Sequence, residues 1–310
     1  MDFTIKPADE YPIPDKLTTF SEGFYYTLQT LPTWRESEAT GNGNNIRNFE
    51  KLRDKHQGNW GDPPLTVIDD KLVQYTIKRI VEKTNNTPST VNRAVSTIKT
   101  VLNLCAKHGY IPFVPRIDRM KVEGKRPTPH YRKEQVERLI QIARERGDDT
   151  MAQAIEMSAF SGIRQAELRR LRVWDIDFHK KVFLIGGTPE SRAKGRKYRA
   201  VPIHDRLLPT LEVRAASSRP MKSYIFDEYR DRYHLSRDWE KCRDRLEMED
   251  RTIQDGHVWR GLRNSYITWA LSIGIPTMTV CKWAGHASVT VTEGYYDHDS
   301  VRDNANANRM

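Results

Sequence analysis

Apolar residues recur at helical spacing along most of the chain. Val91, Ala94, Val95, Ile98, Val101, Leu102 and Cys105 form a stripe of period 3.6. Thr87 is a cap, Pro88 fits the first turn and Gly109 is a stop, so a helix is predicted between them. Leu72, Val73, Ile77, Ile80 and Val81 predict another upstream, and residues 20–32 a third. The polar, glycine-bearing stretches 38–46 and 58–64 read as loops. The periodicity breaks between Ile111 and Tyr131, where Pro112, Pro115, Pro127 and Pro129 are interleaved with Lys121, Lys125 and Arg126. That composition predicts a basic linker.

A second periodic region follows. Val136, Leu139, Ile140 and Ala143 sit at i, i+3, i+4 and i+7, and Met151 to Phe160 continues helical. Gly162 interrupts, and Gln165 to Leu171 resumes. Val182 to Ile185 then reads as a strand and Tyr198 to Ile203 as its partner, with Gly186 to Lys197 a polar, basic turn between them. Helices are predicted again at Leu208–Arg214, Ser236–Leu246, Leu262–Ile273 and Met278–Trp283. The tail from Asp297 to Met310 is too polar to fold alone. The expected architecture is mainly α with a small antiparallel β-sheet. Its parts are an N-terminal segment 1–19, a helical domain 20–112, the basic Pro-containing linker 113–131 and a second domain 132–310 that includes the tail.

The chain's 310 residues suit two such domains. A 37% apolar share and 30% charged residues allow packed cores and exclude general disorder. The longest apolar runs, such as Val182 to Ile185, fall far short of the ~18 residues that span a bilayer. Met1 to Pro7 lacks the basic flank and apolar stretch of a signal peptide, so a cytoplasmic protein is expected, without a membrane partner. Cys105, Cys242 and Cys281 are widely scattered and lack zinc-ligand spacing, which suits reduced thiols. The net charge of +10 asks for a polyanion, most commonly nucleic acid.

Four segments carry candidate chemistry: Phe160 to Leu168, Arg192 to Pro202, Arg260 to Tyr266 and Ala284 to Tyr296. Each alone has a structural explanation. Arg164 can pair with Glu167 or Glu156, Lys194 can be solvated in its turn, and Gly285-His286 can be a helix stop. Together they resemble the tyrosine recombinase, or phage integrase, family. Gly162, Arg164, Glu167 and Leu168 stand as its Gly-x-Arg-x-x-Glu-Leu; Lys194, Gly195, Arg199 and Pro202 as its hairpin Lys-Gly-x-x-x-Arg-x-x-Pro. Arg260 and Arg263 occupy its His-x-x-Arg, and Gly285-His286 precedes Tyr295 by the family's nine residues.

The resemblance spans roughly residues 20–298, being loosest before residue 66 and within 215–250. It implies a helical, SAM-like core-binding domain, which binds DNA, and a catalytic domain. It implies site-specific recombination through a 3′-phosphotyrosyl intermediate, with no cofactor, metal or ATP. Tyr295 is then the nucleophile, Arg164 and Arg263 the phosphate clamp, Lys194 the general acid, His286 a phosphate or tyrosine contact, and Glu167 a carboxylate behind Arg164. Guanidinium groups suit this work because they are permanently charged and match phosphate in bidentate geometry. Lys121, Lys125, Arg126, Lys197, Arg93 and Lys99 are the expected DNA contacts. The implied partners are double-stranded DNA, three further copies in a tetramer on paired sites, and accessory DNA-bending or directionality proteins. The free protein is expected to be a monomer, and the DNA-bound one nucleoid-associated.

Three positions depart from the pattern. Arg260 stands where His or Lys is usual, which leaves phosphate contact but no proton transfer, with His257 one turn earlier as the alternative. The hairpin is long, so Lys197 competes with Lys194 as acid; Tyr296 follows Tyr295 directly. Three other functions stay open: a catalytically weak or inactive DNA-binding protein of the same fold, a type IB topoisomerase-like enzyme, and a metal-dependent nuclease using Asp175 and Asp177. The DNA site and the direction of reaction are not legible, since basic residues read phosphates and not bases.

Overall fold

The structure, a computed structural model, describes residues 15–39, 43–54, 60–122, 129–186, 198–217, 223–253, 257–286 and 288–293. The chain divides into two compact units, Met1–Lys125 and Arg126–Met310.

In the first unit, α1 (Phe20–Thr30), α3 (Asn45–Arg53) and α4 (Asp70–Lys83) pack on the long α5 (Pro88–Lys107), and α2 (Pro32–Ala39) packs on α1 and α3. The α5 stripe from Val91 to Cys105 is buried against Phe20, Phe24 and Leu28 of α1, Phe49 and Leu52 of α3, and Val73, Ile77 and Ile80 of α4. The rings of Phe24 and Phe49 stack at 4.1 Å. Thr87 caps α5 by accepting the Thr90 N–H, and Pro88 opens its first turn. The expected loop at 38–46 is shorter than predicted, because α2 runs to Ala39 and α3 starts at Asn45. Tertiary burial of Phe49 and Leu52 holds a helix that the polar sequence around it hides.

After α5 the chain doubles back along that helix. Lys99 donates to the Ile117 carbonyl (3.2 Å), Arg119 to Ser96 Oγ (3.0 Å), and Asn92 exchanges two hydrogen bonds with the Met120 backbone. Ile111 and Ile117 enter the same core. The first part of the stretch read as linker is thus anchored on α5.

The second unit opens with Tyr131, whose ring is fully buried. Helices α6 (Lys133–Glu145) and α7 (Asp149–Ser161) pack together, and α7 also packs on α11 (Arg260–Ser272). Between them lie α8 (Gln165–Leu168), strands β1 (Ile176–Asp177), β2 (Val182–Ile185) and β3 (Arg199–Pro202), α9 (Leu208–Ser217) and α10 (Arg232–Glu249). After α11 come α12 (Thr277–Ala284) and α13 (Val289–Glu293). The strands form an antiparallel sheet in the order β1-β2-β3, with Phe183 opposite Ile176 on one side and Val201 on the other. Its inner face joins the core of Leu139, Ile155, Leu168 and Phe226. The sheet therefore has one strand more than the predicted pair, because β1 is too short to show alternation.

The helix expected over Gln165–Leu171 ends at Leu168. Beyond it the backbone pairs elsewhere: the Leu171 carbonyl accepts the Ile225 N–H (2.8 Å), and Arg172 bridges to Tyr224. Asp175 and Asp177 serve local turns, accepting the Arg172 N–H (3.0 Å) and the Lys180 N–H (2.8 Å). Among the described residues, no helix is long and apolar enough to cross a membrane.

Candidate active site

Two helix stops create the site. Helix α7 ends at Gly162 (φ +64°), and α12 ends at Gly285 (φ +64°), both in the left-handed conformation. A Cβ at Gly162 would stand 2.3 Å from the Tyr266 ring, so only glycine makes this turn without displacing it. Each stop leaves backbone carbonyls at the negative end of a helix dipole. Arginines take them. Arg263, buried on α11, donates to the Gly162 carbonyl (2.6 Å) and to the Ala284 carbonyl, joining the ends of α7 and α12. Arg164, two residues past the first stop, donates to the Gly285 carbonyl (2.7 Å).

Glu167 orders this arrangement from behind. Its Oε2 accepts the Arg164 backbone N–H (2.7 Å), capping α8, and its Oε1 accepts from the Arg164 guanidinium (2.9 Å). Arg199 grips the same carboxylate with both Nη atoms, at 3.0 and 2.7 Å, while its Nε donates to the Trp283 carbonyl (2.8 Å). Arg199 and Glu167 are 8% and 7% exposed at the side chain, so this is a buried, bidentate pair. Burial alone would raise the Glu167 carboxyl, but hydrogen bonds and charge from Arg199, then from Arg164, hold it below the usual carboxylate range.

His286 follows the second stop, its N–H bonded to the Cys281 carbonyl (3.1 Å). Its Nδ1 lies 2.9 Å from Oγ1 of Thr292, a fully buried hydroxyl on α13. Burial, and then the charges of Arg263, Arg164, Arg260 and Arg199, push the imidazole down to about 4. His286 is therefore neutral at pH 7.

Arg164, Arg260, Arg263 and His286 line one cleft of about 430 Å³, completed by Ile163, Gln165, Ala166, Trp259 and Val291. Arg260 is exposed there, at the first turn of α11. A second cleft of about 400 Å³ shares Gln165, Trp259 and Arg260 and continues past Arg232, Ser236 and Arg243 of α10. Three guanidiniums and a neutral imidazole around one opening form a receptor for a phosphate-like anion. Among the described residues no cluster of His, Cys, Asp and Glu is arranged to hold a metal.

The structure thus brings together Arg164, Glu167, Arg260, Arg263 and His286 from the sequence reading. His257, the alternative to Arg260, is buried with its ring 5.1 Å from that of Tyr131 and does not line the cleft. Lys194, Lys197, Tyr295, Tyr296, Lys125 and Arg126 lie outside the described residues. In the first unit Arg93 and Lys121 are exposed, whereas Lys99 is half-buried on the Ile117 carbonyl. Arg199, a position of the hairpin motif, and Thr292 are site residues to which the sequence gives no role. The signal for Arg199 was an arginine at an inward position of β3, alternating with exposed Ala200, which demands a buried acid. No sequence signal marks Thr292.

Known proteins share sequence and fold with this chain. The model of the phage integrase family matches residues 130–302. A tyrosine recombinase of Thermosipho africanus is 26% identical over 209 residues, covering 67% of this chain and 71% of that protein. The tyrosine recombinase XerC of Oceanobacillus iheyensis is 26% identical over 218 residues, covering 66% and 68%. Among solved structures, the Tn1549 transposon integrase in complex with transposon right end DNA shares the fold at a TM-score of 0.71 and 15% identity, over 94% of this chain and 99% of that one. A lambda integrase dimer bound to a COC′ core site does so at 0.65 and 15%, over 92% and 79%.

Proposed function

The chain belongs to the phage integrase family of tyrosine recombinases, and from that premise we propose how it cuts and rejoins DNA. It is a site-specific recombinase acting on double-stranded DNA. The observation that carries the mechanism is the single cleft in which Arg164, Arg260, Arg263 and His286 converge.

The scissile phosphate enters that cleft. Arg164 and Arg263 neutralise the charge that builds on its oxygens as the nucleophile attacks. Both are pinned by helix-end carbonyls and, for Arg164, by Glu167, so little reorganisation is needed at the moment of reaction. Arg260 adds a third donor to phosphate oxygen. It cannot exchange a proton at neutral pH, so it acts by charge and hydrogen bonding and not as an acid or base. His286, neutral, donates one hydrogen bond. Tyr295 gives up its phenolic proton to water as its oxygen bonds to phosphorus, the bond to the 5′ oxygen breaks, and Lys194 protonates that leaving oxygen. The 3′-phosphotyrosine retains the bond energy, and attack by a 5′ hydroxyl reverses the step. Because arginines carry the charge stabilisation, the chemistry proceeds without a metal. Arg93 and Lys121, with Lys125, Arg126 and Lys197, hold flanking phosphates. Four protomers act on two paired sites.

Covalent trapping tests this. Nicked suicide duplexes tiled from the DNA flanking the gene are mixed with the protein in EDTA and resolved on a denaturing gel. A protein–DNA adduct that persists in Tyr296→Phe and vanishes in Tyr295→Phe is expected. Loss in Tyr296→Phe alone moves the nucleophile by one residue. Salt-sensitive binding of the same DNA with no adduct would make the protein a non-catalytic DNA binder.

A further inference from the structure

Among the described residues, most threonine hydroxyls buried along helices bond their own helix. Thr27 donates to the Gly23 carbonyl, Thr76 to Leu72, and Thr97 to Arg93, each one turn back. Thr292 differs. It is fully buried on α13, and its Oγ1 meets the Nδ1 of His286 at 2.9 Å instead. This contact reaches from the helix three residues before Tyr295 to the imidazole that lines the phosphate cleft.

Resting on the recombinase reading, we propose that the Thr292 hydroxyl donates to His286 Nδ1 and thereby fixes the ring as the tautomer with its proton on Nε2, ready to donate to the substrate phosphate. Thr292 is thus a positioning residue that acts through His286. The ring is surrounded by Arg263 and Arg260 of α11, Arg164 at the α8 cap and Arg199 of β3, with Glu167 as the balancing carboxylate. Burial, and then those cations, keep the imidazole neutral, so it carries one N–H only. Phosphate oxygens accept and never donate. A ring protonated on Nδ1 would turn the lone pair of Nε2 toward them. The hydrogen bond at one ring nitrogen decides the proton at the other, and here that bond comes from Thr292.

The test uses the full chain labelled with ¹⁵N-histidine. Long-range proton–nitrogen correlation spectra distinguish the two tautomers of His286, assigned through His286→Ala. The wild type is expected as the Nε2–H form, Thr292→Ser likewise, and Thr292→Val as a mixture or the Nδ1–H form. Single-turnover adduct formation should fall about ten- to a hundredfold in Thr292→Val, the range found for residues that orient a metal-ligating histidine. It should recover in Thr292→Ser, with DNA affinity unchanged in both. In a His286→Ala background Thr292→Val should cost nothing further, which a purely structural role would not give. A wild-type ring protonated on Nδ1, or a wild-type cleavage rate in Thr292→Val, overturns the inference. An Nε2–H ring that depends on Thr292, in a protein that forms no adduct, supports the hydrogen bond and overturns the recombinase reading instead.

Discussion

Arg199 and Glu167 show how a single buried pair shapes the site. The pair aligns Arg164 from one side and reaches the end of α12 from the other, through the Trp283 carbonyl. Removing one partner strands a buried charge, at a cost of about 3–5 kcal/mol. Arg199→Met should therefore lower unfolding free energy by that amount at pH 7 in denaturant titrations. The pH dependence is diagnostic. In the wild type the Glu167 pKa lies below 4.5, so the unfolded chain protonates first and stability falls as pH falls below that value. In Arg199→Met the carboxyl loses its strongest partner and burial raises it, so the native state takes up the proton more readily. The stability gap between the two should narrow on acidification, beginning at the raised value of the variant's carboxyl and continuing below pH 4.5. His286 has the complementary signature. With a folded value of about 4 against 6.5 unfolded, the native state binds fewer protons between those limits, and stability declines as pH drops through them. His286→Asn, which cannot titrate, should flatten that decline. Wild-type cleavage should show no inflection near pH 6.5 from this residue.

At the scale of elements, helix stops matter more than helices. Gly147 after α6 and Gly162 after α7 adopt the same backbone, at φ +72° and +64°. An added Cβ meets nothing within 4 Å at Gly147 but lies 2.3 Å from the Tyr266 ring at Gly162. Gly147→Ala should cost only the left-handed penalty of about 1–2 kcal/mol. Gly162→Ala should cost that plus about 1–3 kcal/mol of overpacking, and should lower adduct yield as well, because Arg263 bonds the Gly162 carbonyl. Equal melting temperatures for the two variants would rule out the Tyr266 contact as the cause. Helix α5 was legible because its stripe and its end signals agree, and α4 and α6 through their stripes. Helix α3 and strand β1 were not, since each is short and held by partners distant in sequence, Phe49 by α1 and Ile176 by Phe183. The truncation of α8 likewise follows from backbone pairing of Leu171 with Ile225. Arg164, Glu167, Arg263 and His286 stood out through motif spacing. Arg199 stands in the hairpin motif, but its grip on Glu167, like the contact of Thr292 with His286, joins side chains that only folding brings together, and spacing does not encode that pairing.

For the whole molecule, a net charge of +10 makes DNA affinity depend on salt, but the charges do not contribute equally. A protein engaging about 6–10 phosphates loses roughly 10³–10⁵ in affinity between 50 and 200 mM salt, with a log–log slope near −0.9 per contact. Arg93 and Lys121 are exposed, so each is available to a phosphate. Lys99 stands on the same helix as Arg93, yet its ammonium bonds the Ile117 carbonyl and helps hold residues 111–122 against α5. Charge removal at the three positions should therefore separate. Arg93→Ala and Lys121→Ala should each weaken binding uniformly across DNA sequences and reduce the slope by about one. Lys99→Met should leave the slope unchanged and instead speed hydrogen exchange at the Met120 amide, which the neighbouring Asn92 side chain holds on α5. A slope that drops in Lys99→Met as much as in Arg93→Ala would mean that DNA draws the ammonium off its carbonyl. The anchoring of 111–122 would then be traded for a phosphate contact on binding, coupling the segment that leaves the first unit to occupancy of DNA.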